Sequence, residues 1–268
     1  MPDKVLKLTD ALRAEYNQLF QSCVVRQEHQ GEIEAAVNKM IAGKARYQAF
    51  AATVKVPWTL IAVIHHLEGG QSFAKHLHNG DPLAAKTVQV PKNRPPGNPP
   101  WTWEESAADA LTIEGYTKWT DWSVAGTLFK LEAYNGTGYR LYHPSVLSPY
   151  LWSYTNHYTM GKYKADGVWS PTLVSKQIGT AALLRRLAER GEIAFADQPA
   201  PGPMPLVVSY MKSRPTDPVL IARAIALQEW LTTHSGVFVK PDGWAGENTS
   251  NAYKLVTGTH LPDDPRGP

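Results

Sequence analysis

Glu68 is the residue whose neighbours in the sequence best suit acid–base chemistry. It ends an apolar stretch, residues 57–67, and is followed by Gly69 and Gly70, which are typical of a helix end. A carboxyl at the end of a buried helix is partly removed from water, so its pKa can be raised towards neutral pH. Such a group can donate a proton to a leaving oxygen as a general acid. The alternative is an ordinary solvated carboxylate.

Asp81 is the second candidate carboxylate, thirteen residues after Glu68. As a general base it would activate a water molecule across a cleft and give inversion if the two carboxyls are far enough apart. The sequence Asn79-Gly80-Asp81-Pro82 is also typical of a tight turn, which an aspartate stabilises by capping. Both interpretations of Asp81 stay open.

The elements around these acids are mainly helical. Thr9 or Asp10 can cap a first helix, and a second is predicted over residues 32–52 with Gly43 inside it. Pro57 suits the first position of the helix that carries Glu68. Residues 87–90 alternate between polar and apolar side chains, which predicts a short strand of a β-hairpin.

Further helix starts are indicated beyond this hairpin. Thr102 and Glu105 form a capping-box pattern, and Ser123 or Asp121 can cap a helix that ends near Tyr134. Residues 135–138 then form a loop. The predicted fold class is mainly α, helical with a short β-hairpin, plus a small helical C-terminal domain.

Three segments divide the chain. We predict a catalytic domain over residues 1–193 and a proline-rich linker over residues 194–217. A small helical domain follows over residues 218–268, where Asp217 caps its first helix and Gly258 ends its last.

Composition limits the classes of function. The chain has 268 residues, 43% hydrophobic and 19% charged, which is typical of a globular protein. Its net charge of +3 suits an anionic polymer but is too small to indicate nucleic-acid binding. The single cysteine, Cys23, lies in an apolar helical stretch, so we expect a buried thiol and no internal disulfide. We expect no membrane span, no secretion signal, no cofactor and a monomer.

Three motifs in order resemble those of lytic transglycosylases and goose-type lysozymes. Residues 67–73, Leu-Glu-Gly-Gly-Gln-Ser-Phe, resemble the Glu-Ser-Gly-Phe segment of these enzymes. Residues 87–90 take the place of their Gly-Leu-Met-Gln segment, and residues 132–138 resemble their Ala-Tyr-Asn-Ala-Gly motif. Gly69 stands where the family has serine. The resemblance implies a lysozyme-like fold and cleavage of the glycan between N-acetylmuramic acid and N-acetylglucosamine.

The resemblance also suggests which residues bind substrate. It implies that Tyr134 and Asn135 lie beside the acid and the sugar. Contacts from the hairpin would come from Thr87 and Gln89, the latter to a sugar amide. Three further aromatic residues are candidates for stacking on sugar rings, with core packing as the alternative: Trp152, Tyr154 and Tyr158.

The C-terminal segment carries a second resemblance. Leu227-Gln228 is followed by Asp242-Gly243, Gly246 and Thr249. This pattern is similar to that of small helical peptidoglycan-binding domains. It implies that Asp242 and Trp244 are candidates for binding the cell wall, and that the partner is peptidoglycan. The alternative is a helical pair packed on the main domain.

Four functions are compatible with these observations. The first is a muramidase of the endolysin or wall-remodelling type, made in the cytoplasm and acting on the wall after release or export. A lytic transglycosylase that forms anhydro products becomes the better interpretation if Asp81 only caps a turn. Four histidines near the acids suggest a zinc amidase or peptidase, although a His-Glu-x-x-His motif is absent: His65, His66, His76 and His78. An inactive wall-binding protein is the fourth.

Overall fold

The computed structural model describes residues 6–165, 167–193, 195, 204–234 and 237–267. Its helices are α1 (Asp10–Gln21), α2 (Gln30–Ala42), α3 (Lys44–Val54), α4 (Trp58–Gly69), α5 (Trp103–Ile113), α6 (Val124–Tyr134), α7 (Gly138–Tyr142), α8 (Pro149–Trp152), α9 (Thr180–Glu189), α10 (Pro218–Thr232) and α11 (Glu247–Thr257). Two antiparallel strands, β1 (Lys162–Ala165) and β2 (Val168–Ser170), form a small sheet. The prediction of a mainly helical chain is confirmed.

Helix α4 lies at the centre of the larger hydrophobic core. All side chains from residue 59 to residue 65 are buried, and the helix packs against α2, α3 and α9. A helix surrounded on every side needs apolar residues around its whole circumference, which explains its continuous apolar sequence. The residue at its C-terminal end is therefore held on a rigid support.

Helix starts follow local capping chemistry, as predicted. The hydroxyl of Thr9 accepts a hydrogen bond from the backbone N–H of Leu12 at the start of α1. Thr102 and Glu105 form a complete capping box at the start of α5. At the start of α6, the hydroxyl of Ser123 accepts a hydrogen bond from the backbone N–H of Gly126.

The predicted helix over residues 32–52 is wrong as a single element. The structure divides it at Gly43, which ends α2 and precedes α3. A Cβ atom at residue 43 would lie 2.9 Å from the ring of Tyr47. The two short helices can meet closely at this point because glycine has no side chain.

The predicted strand over residues 87–90 is also wrong, because these residues form no strand in the structure. The backbone N–H groups of Val88 and Gln89 donate to the carboxylate of Asp81 instead of to another strand. The β-hairpin lies later in the chain, where β1 pairs with β2 and Tyr163 faces Trp169. The sheet therefore borders a different part of the molecule from the one predicted.

The described residues contain two hydrophobic cores. The larger is built from α1 to α6, α8 and α9, and the smaller from α10, α11 and their flanking segments. Val207, Val208 and Met211, which fall in the predicted linker, pack into the smaller core. Phe238 bridges to the larger core, where its ring centroid lies 5.2 Å from that of Phe20. Residues 194 and 196–203 of the predicted linker lie outside the described residues.

Among the described helices, none alone is long and apolar enough to span a membrane. Helices α3 and α4 together are long and apolar enough to span a membrane, but the chain bends by 111° between them.

Candidate functional site

Glu68 lies in the last turn of α4, half-buried. The helix ends because Gly70 adopts a left-handed conformation, with φ of 58°, and its N–H bonds back to the carbonyl of His65. The following loop folds back on this end. Gly80 approaches so closely that a Cβ atom there would lie 2.3 Å from the carbonyl oxygen of Glu68. The backbone of Glu68 is thus held by α4 on one side and by the loop that contains Gly80 on the other.

The surroundings of Glu68 favour its protonated form. Burial raises its pKa to about 7, and the negative charge of Glu114 acts in the same direction. A hydrogen bond with the hydroxyl of Tyr134 partly offsets these effects. Glu68 is therefore poised to exchange a proton near neutral pH, as a general acid must be.

Tyrosines form the wall beside this acid. The hydroxyl of Tyr134 also lies 3.4 Å from the carbonyl oxygen of Leu77, which connects α6 to the loop after α4. The buried ring of Tyr116 lies 6.1 Å from that of Tyr134. Tyr150 is close enough that the charge of Glu68, after burial, raises its pKa. Of these residues, only Tyr134 was predicted from the sequence.

Asp81 is held by its own loop. One carboxylate oxygen accepts hydrogen bonds from the backbone N–H groups of Val88 at 2.8 Å and Gln89 at 3.1 Å. The side-chain amide of Asn79 donates to the same oxygen at 3.1 Å. These bonds, first that from Gln89, lower the pKa of Asp81. The geometry matches the turn-capping interpretation.

Thr87 and Gln89 sit differently in this loop. Thr87 is buried, and its hydroxyl accepts a hydrogen bond from the backbone N–H of Arg94 at 2.9 Å while donating to the carbonyl of Pro91. Its side chain is thus used within the loop. Gln89 is exposed, so it is the one of the two whose side chain is accessible to a ligand.

Asn135 ends α6 and begins the predicted loop, beside an open groove of about 530 Å³. The groove runs between this loop, α7 and the β1–β2 hairpin. Its aromatic lining consists of Tyr139, Tyr142, Tyr150 and Tyr163. Tyr150 is common to the groove and to the surroundings of Glu68. Sequence reasoning missed the groove because the hairpin that forms one side of it was placed elsewhere.

The three predicted stacking residues belong to the main core instead. Trp152 is fully buried, and Tyr154 and Tyr158 are nearly so. The hydroxyl of Tyr154 donates to the carbonyl of Lys176, and that of Tyr158 to the carbonyl of Gly161. Burial therefore assigns these rings to packing, and the accessible tyrosines of the groove are different ones.

A buried ion pair holds the loop after α6. Glu132 is 2% exposed, and the guanidinium of Arg140 donates to its carboxylate at 2.7 Å. The same guanidinium bonds Glu15 at 2.9 Å, and the hydroxyl of Tyr16 also donates to Glu132. Residues 133–139, which include Tyr134 and Asn135, lie between the two partners. The ion pair therefore joins the two ends of residues 133–139, the segment that connects Glu68 with the groove. It also attaches this segment to α1.

The histidines near Glu68 have separate partners. His65 lies 2.8 Å from the hydroxyl of Tyr47, and His78 lies 2.8 Å from the carboxylate of Asp109. His76 lies 2.6 Å from the hydroxyl of Ser106. In the described part of the chain, no group of three or more His, Cys, Asp or Glu side chains is placed to share a metal ion.

Cys23 is buried, as expected, and burial raises the pKa of its thiol to about 12. A thiol with such a pKa carries almost no thiolate at neutral pH. Its position is that of a packing residue.

Comparison of the chain with protein-family models, curated proteins and solved structures finds no match. Function is therefore inferred from the geometry of the site.

The motif residues of the small domain form a hydrogen-bond network. The buried amide of Gln228 donates to Asp242 at 3.0 Å and to the hydroxyl of Thr249 at 3.0 Å, and its oxygen accepts from the N–H of Gly243 at 3.0 Å. Asp242 also accepts from the N–H of Trp244 at 3.0 Å. The indole N–H of Trp244 donates to the carbonyl of Met211 at 2.8 Å. These contacts give Asp242 and Trp244 a structural role, whatever else they bind.

Replacing Gln228 with leucine should therefore loosen the small domain. Each buried polar group left without a partner costs about 1–3 kcal/mol. We expect faster amide hydrogen exchange in α10 and α11 with unchanged exchange in α4. Gln48→Leu, at an exposed position on α3, is the control and should change neither. Unchanged protection in Gln228→Leu would show that the network does not stabilise this domain.

Proposed function

We propose that this chain cleaves the glycan strands of peptidoglycan, with Glu68 as the general acid in a lysozyme-like arrangement. The observation that carries the proposal is the carboxyl of Glu68, half-buried at the end of α4 with a pKa raised to about 7. Cleavage of a glycosidic bond requires a proton for the leaving oxygen, and a carboxyl with such a pKa can supply it near neutral pH.

The arrangement of the remaining residues supports the same function. Tyr134 contacts Glu68, and Asn135 lies one residue further at the edge of the groove. Both belong to the third of the motifs that resemble lytic transglycosylases and goose-type lysozymes. The small domain would tether the enzyme to the wall and so raise its local concentration at the substrate.

A lytic transglycosylase is the second candidate, and the contacts of Asp81 favour it. A general base must be free to accept a proton from water, but one oxygen of Asp81 already accepts three hydrogen bonds. In a transglycosylase, a hydroxyl of the substrate itself replaces water as nucleophile, so a second carboxylate is not required. The product is then an anhydro sugar.

Digestion of purified sacculi, followed by mass spectrometry of the soluble products, tests the proposal. We expect new glycan ends, reducing if water attacks and anhydro if the substrate hydroxyl attacks. Activity should persist in EDTA. Products cleaved only at amide bonds, together with loss of activity in EDTA, would contradict the proposal and support a zinc amidase or peptidase.

The rate of sacculus digestion should fall as pH rises through about 7, because Glu68 then loses the proton that it must donate. Glu114→Gln should move this fall to lower pH, since a negative charge that raises the pKa of Glu68 is removed. Glu104→Gln removes an equal charge that is paired with Arg46 at 2.7 Å and serves as the control. A fall at the same pH in Glu114→Gln would contradict the electrostatic role of Glu114.

A further inference from the structure

The groove between α7 and the β1–β2 hairpin has features that acid catalysis by Glu68 does not explain. Four tyrosines line it, and Tyr142 among them is 72% exposed. An aromatic ring so exposed on a small helix makes little contribution to a core. Lys164 is the only charged side chain among the described residues that line the groove.

The hairpin side of the groove is held rigidly. The backbone N–H of Tyr163 donates to the hydroxyl of Tyr139 at 3.3 Å, and their ring centroids lie 5.3 Å apart in an edge-to-face arrangement. Trp169 packs against Tyr163 at 5.2 Å and stacks on His143 at 3.6 Å. The ring of Tyr163 is therefore pre-positioned, and little side-chain entropy would be lost when a ligand stacks on it.

Gly138 lines the groove close to two of its tyrosines. A Cβ atom at this position would lie 3.8 Å from the ring of Tyr163 and 4.0 Å from that of Tyr142. The two rings thus come close to the same residue, Tyr142 from α7 and Tyr163 from β1. An aromatic lining of this kind suits the apolar face of a pyranose ring.

We propose that this groove binds the glycan strand, with sugar faces against Tyr142 and Tyr163 and with Lys164 paired to a carboxylate on the 3-O substituent of an alternate sugar. This inference rests on the proposed function and adds the residues that recognise the substrate. Tyr150 connects the groove with Glu68. It lines the groove, and it lies close enough to Glu68 for the charge of that carboxylate to raise its pKa. The glycan would extend from the groove towards the acid.

Binding to defined oligosaccharides tests the groove without cleavage. The full chain carrying Glu68→Gln is titrated calorimetrically with three probes: a neutral β-1,4-linked N-acetylglucosamine oligomer, a peptide-free alternating N-acetylglucosamine–N-acetylmuramic acid oligomer, and the same oligomer with its stem peptides. Tyr142→Ala in this background should weaken binding of all three roughly tenfold, by loss of ring stacking. Leu141→Ala, at its exposed neighbour on α7, is the control and should bind as the parent does.

Lys164→Gln should weaken only the acidic probes, roughly threefold at low salt, and this difference should vanish at high salt. Weaker binding of the peptide-free acidic oligomer would identify the lactyl group as the source of the carboxylate. Weaker binding of the oligomer with stem peptides alone would identify the peptide. Lys55→Gln, at an exposed position on the surface, is the charge control. Parent-like binding of every probe by both Tyr142→Ala and Lys164→Gln would overturn the groove assignment. That result would leave the proposed function standing if the wild type still releases new glycan ends from sacculi, whereas wild type without such ends would refute the function itself.

Discussion

Glu68→Gln should slow the release of soluble muropeptides from purified sacculi by about 10²–10⁴-fold, the usual contribution of a positioned general acid. Glutamine has nearly the same shape as glutamic acid but no acidic proton that it can transfer to the leaving oxygen. The measurement is the initial rate of muropeptide release at pH 6, where the wild-type acid is mostly protonated. Release within a factor of two of the wild type would exclude Glu68 as the acid.

The same substitution should not harm folding, and the pH dependence of stability gives the control. The folded-state pKa of Glu68, about 7, lies above its ordinary value of 4.5, so folding is favoured by the protonated form. This stabilisation is complete below pH 4.5 and is lost as pH rises through 7. At pH 8 Glu68→Gln should therefore melt at a temperature equal to or above that of the wild type, and its free energy of unfolding should be higher by an amount on the order of 3 kcal/mol at most. If Glu68→Gln melts at a lower temperature than the wild type at pH 8, its loss of activity would be explained by misfolding.

Arg140→Met should destabilise the protein strongly and reduce activity through the loop after α6. It leaves the carboxylate of Glu132, only 2% exposed, without its cationic partner. Loss of one member of a buried ion pair costs about 3–5 kcal/mol. The displaced segment carries Tyr134 and Asn135, so we expect kcat to fall in the molecules that remain folded. Urea unfolding and steady-state rates on the same preparations measure both effects.

Two comparisons separate the buried pair from an ordinary surface contact. Arg46→Met breaks an ion pair with Glu104 whose side chains are 46% and 35% exposed, and a cation–π contact with Phe73 at 4.0 Å, and should cost at most about 2 kcal/mol. Combining Arg140→Met with Glu132→Met removes both charges and should recover part of the lost stability. An Arg140→Met variant no less stable than Arg46→Met would contradict the role of the pair.

Structural features that depend only on residues close in the sequence were predictable from the sequence. The cap at Thr102 was identified correctly, and Thr9 and Ser123 were each one of two candidates, because a hydroxyl three residues from a free N–H decides a cap. The strand over residues 87–90 was not, because the carboxylate of Asp81 takes the N–H groups that a neighbouring strand would need. Alternation of side chains cannot reveal such a competing acceptor.

The candidate site divides in the same way. Glu68 could be found from one local pattern, an apolar helix that ends in two glycines. Glu114, Tyr150 and the β1–β2 hairpin reach the site only through tertiary packing, and no local pattern connects them to Glu68. The density of tyrosine and tryptophan over residues 139–170 was the available signal, but it did not distinguish Trp152 in the core from Tyr142 in the groove.

Titration of the Glu68 carboxyl by carbon-13 NMR, with Glu68→Gln used to assign its signal, tests most directly whether this residue can serve as the acid. We predict a midpoint near pH 7, because burial and the charge of Glu114 both disfavour the carboxylate. A midpoint near 4.5 would mean that Glu68 is a solvated carboxylate at neutral pH, and would contradict its assignment as the general acid.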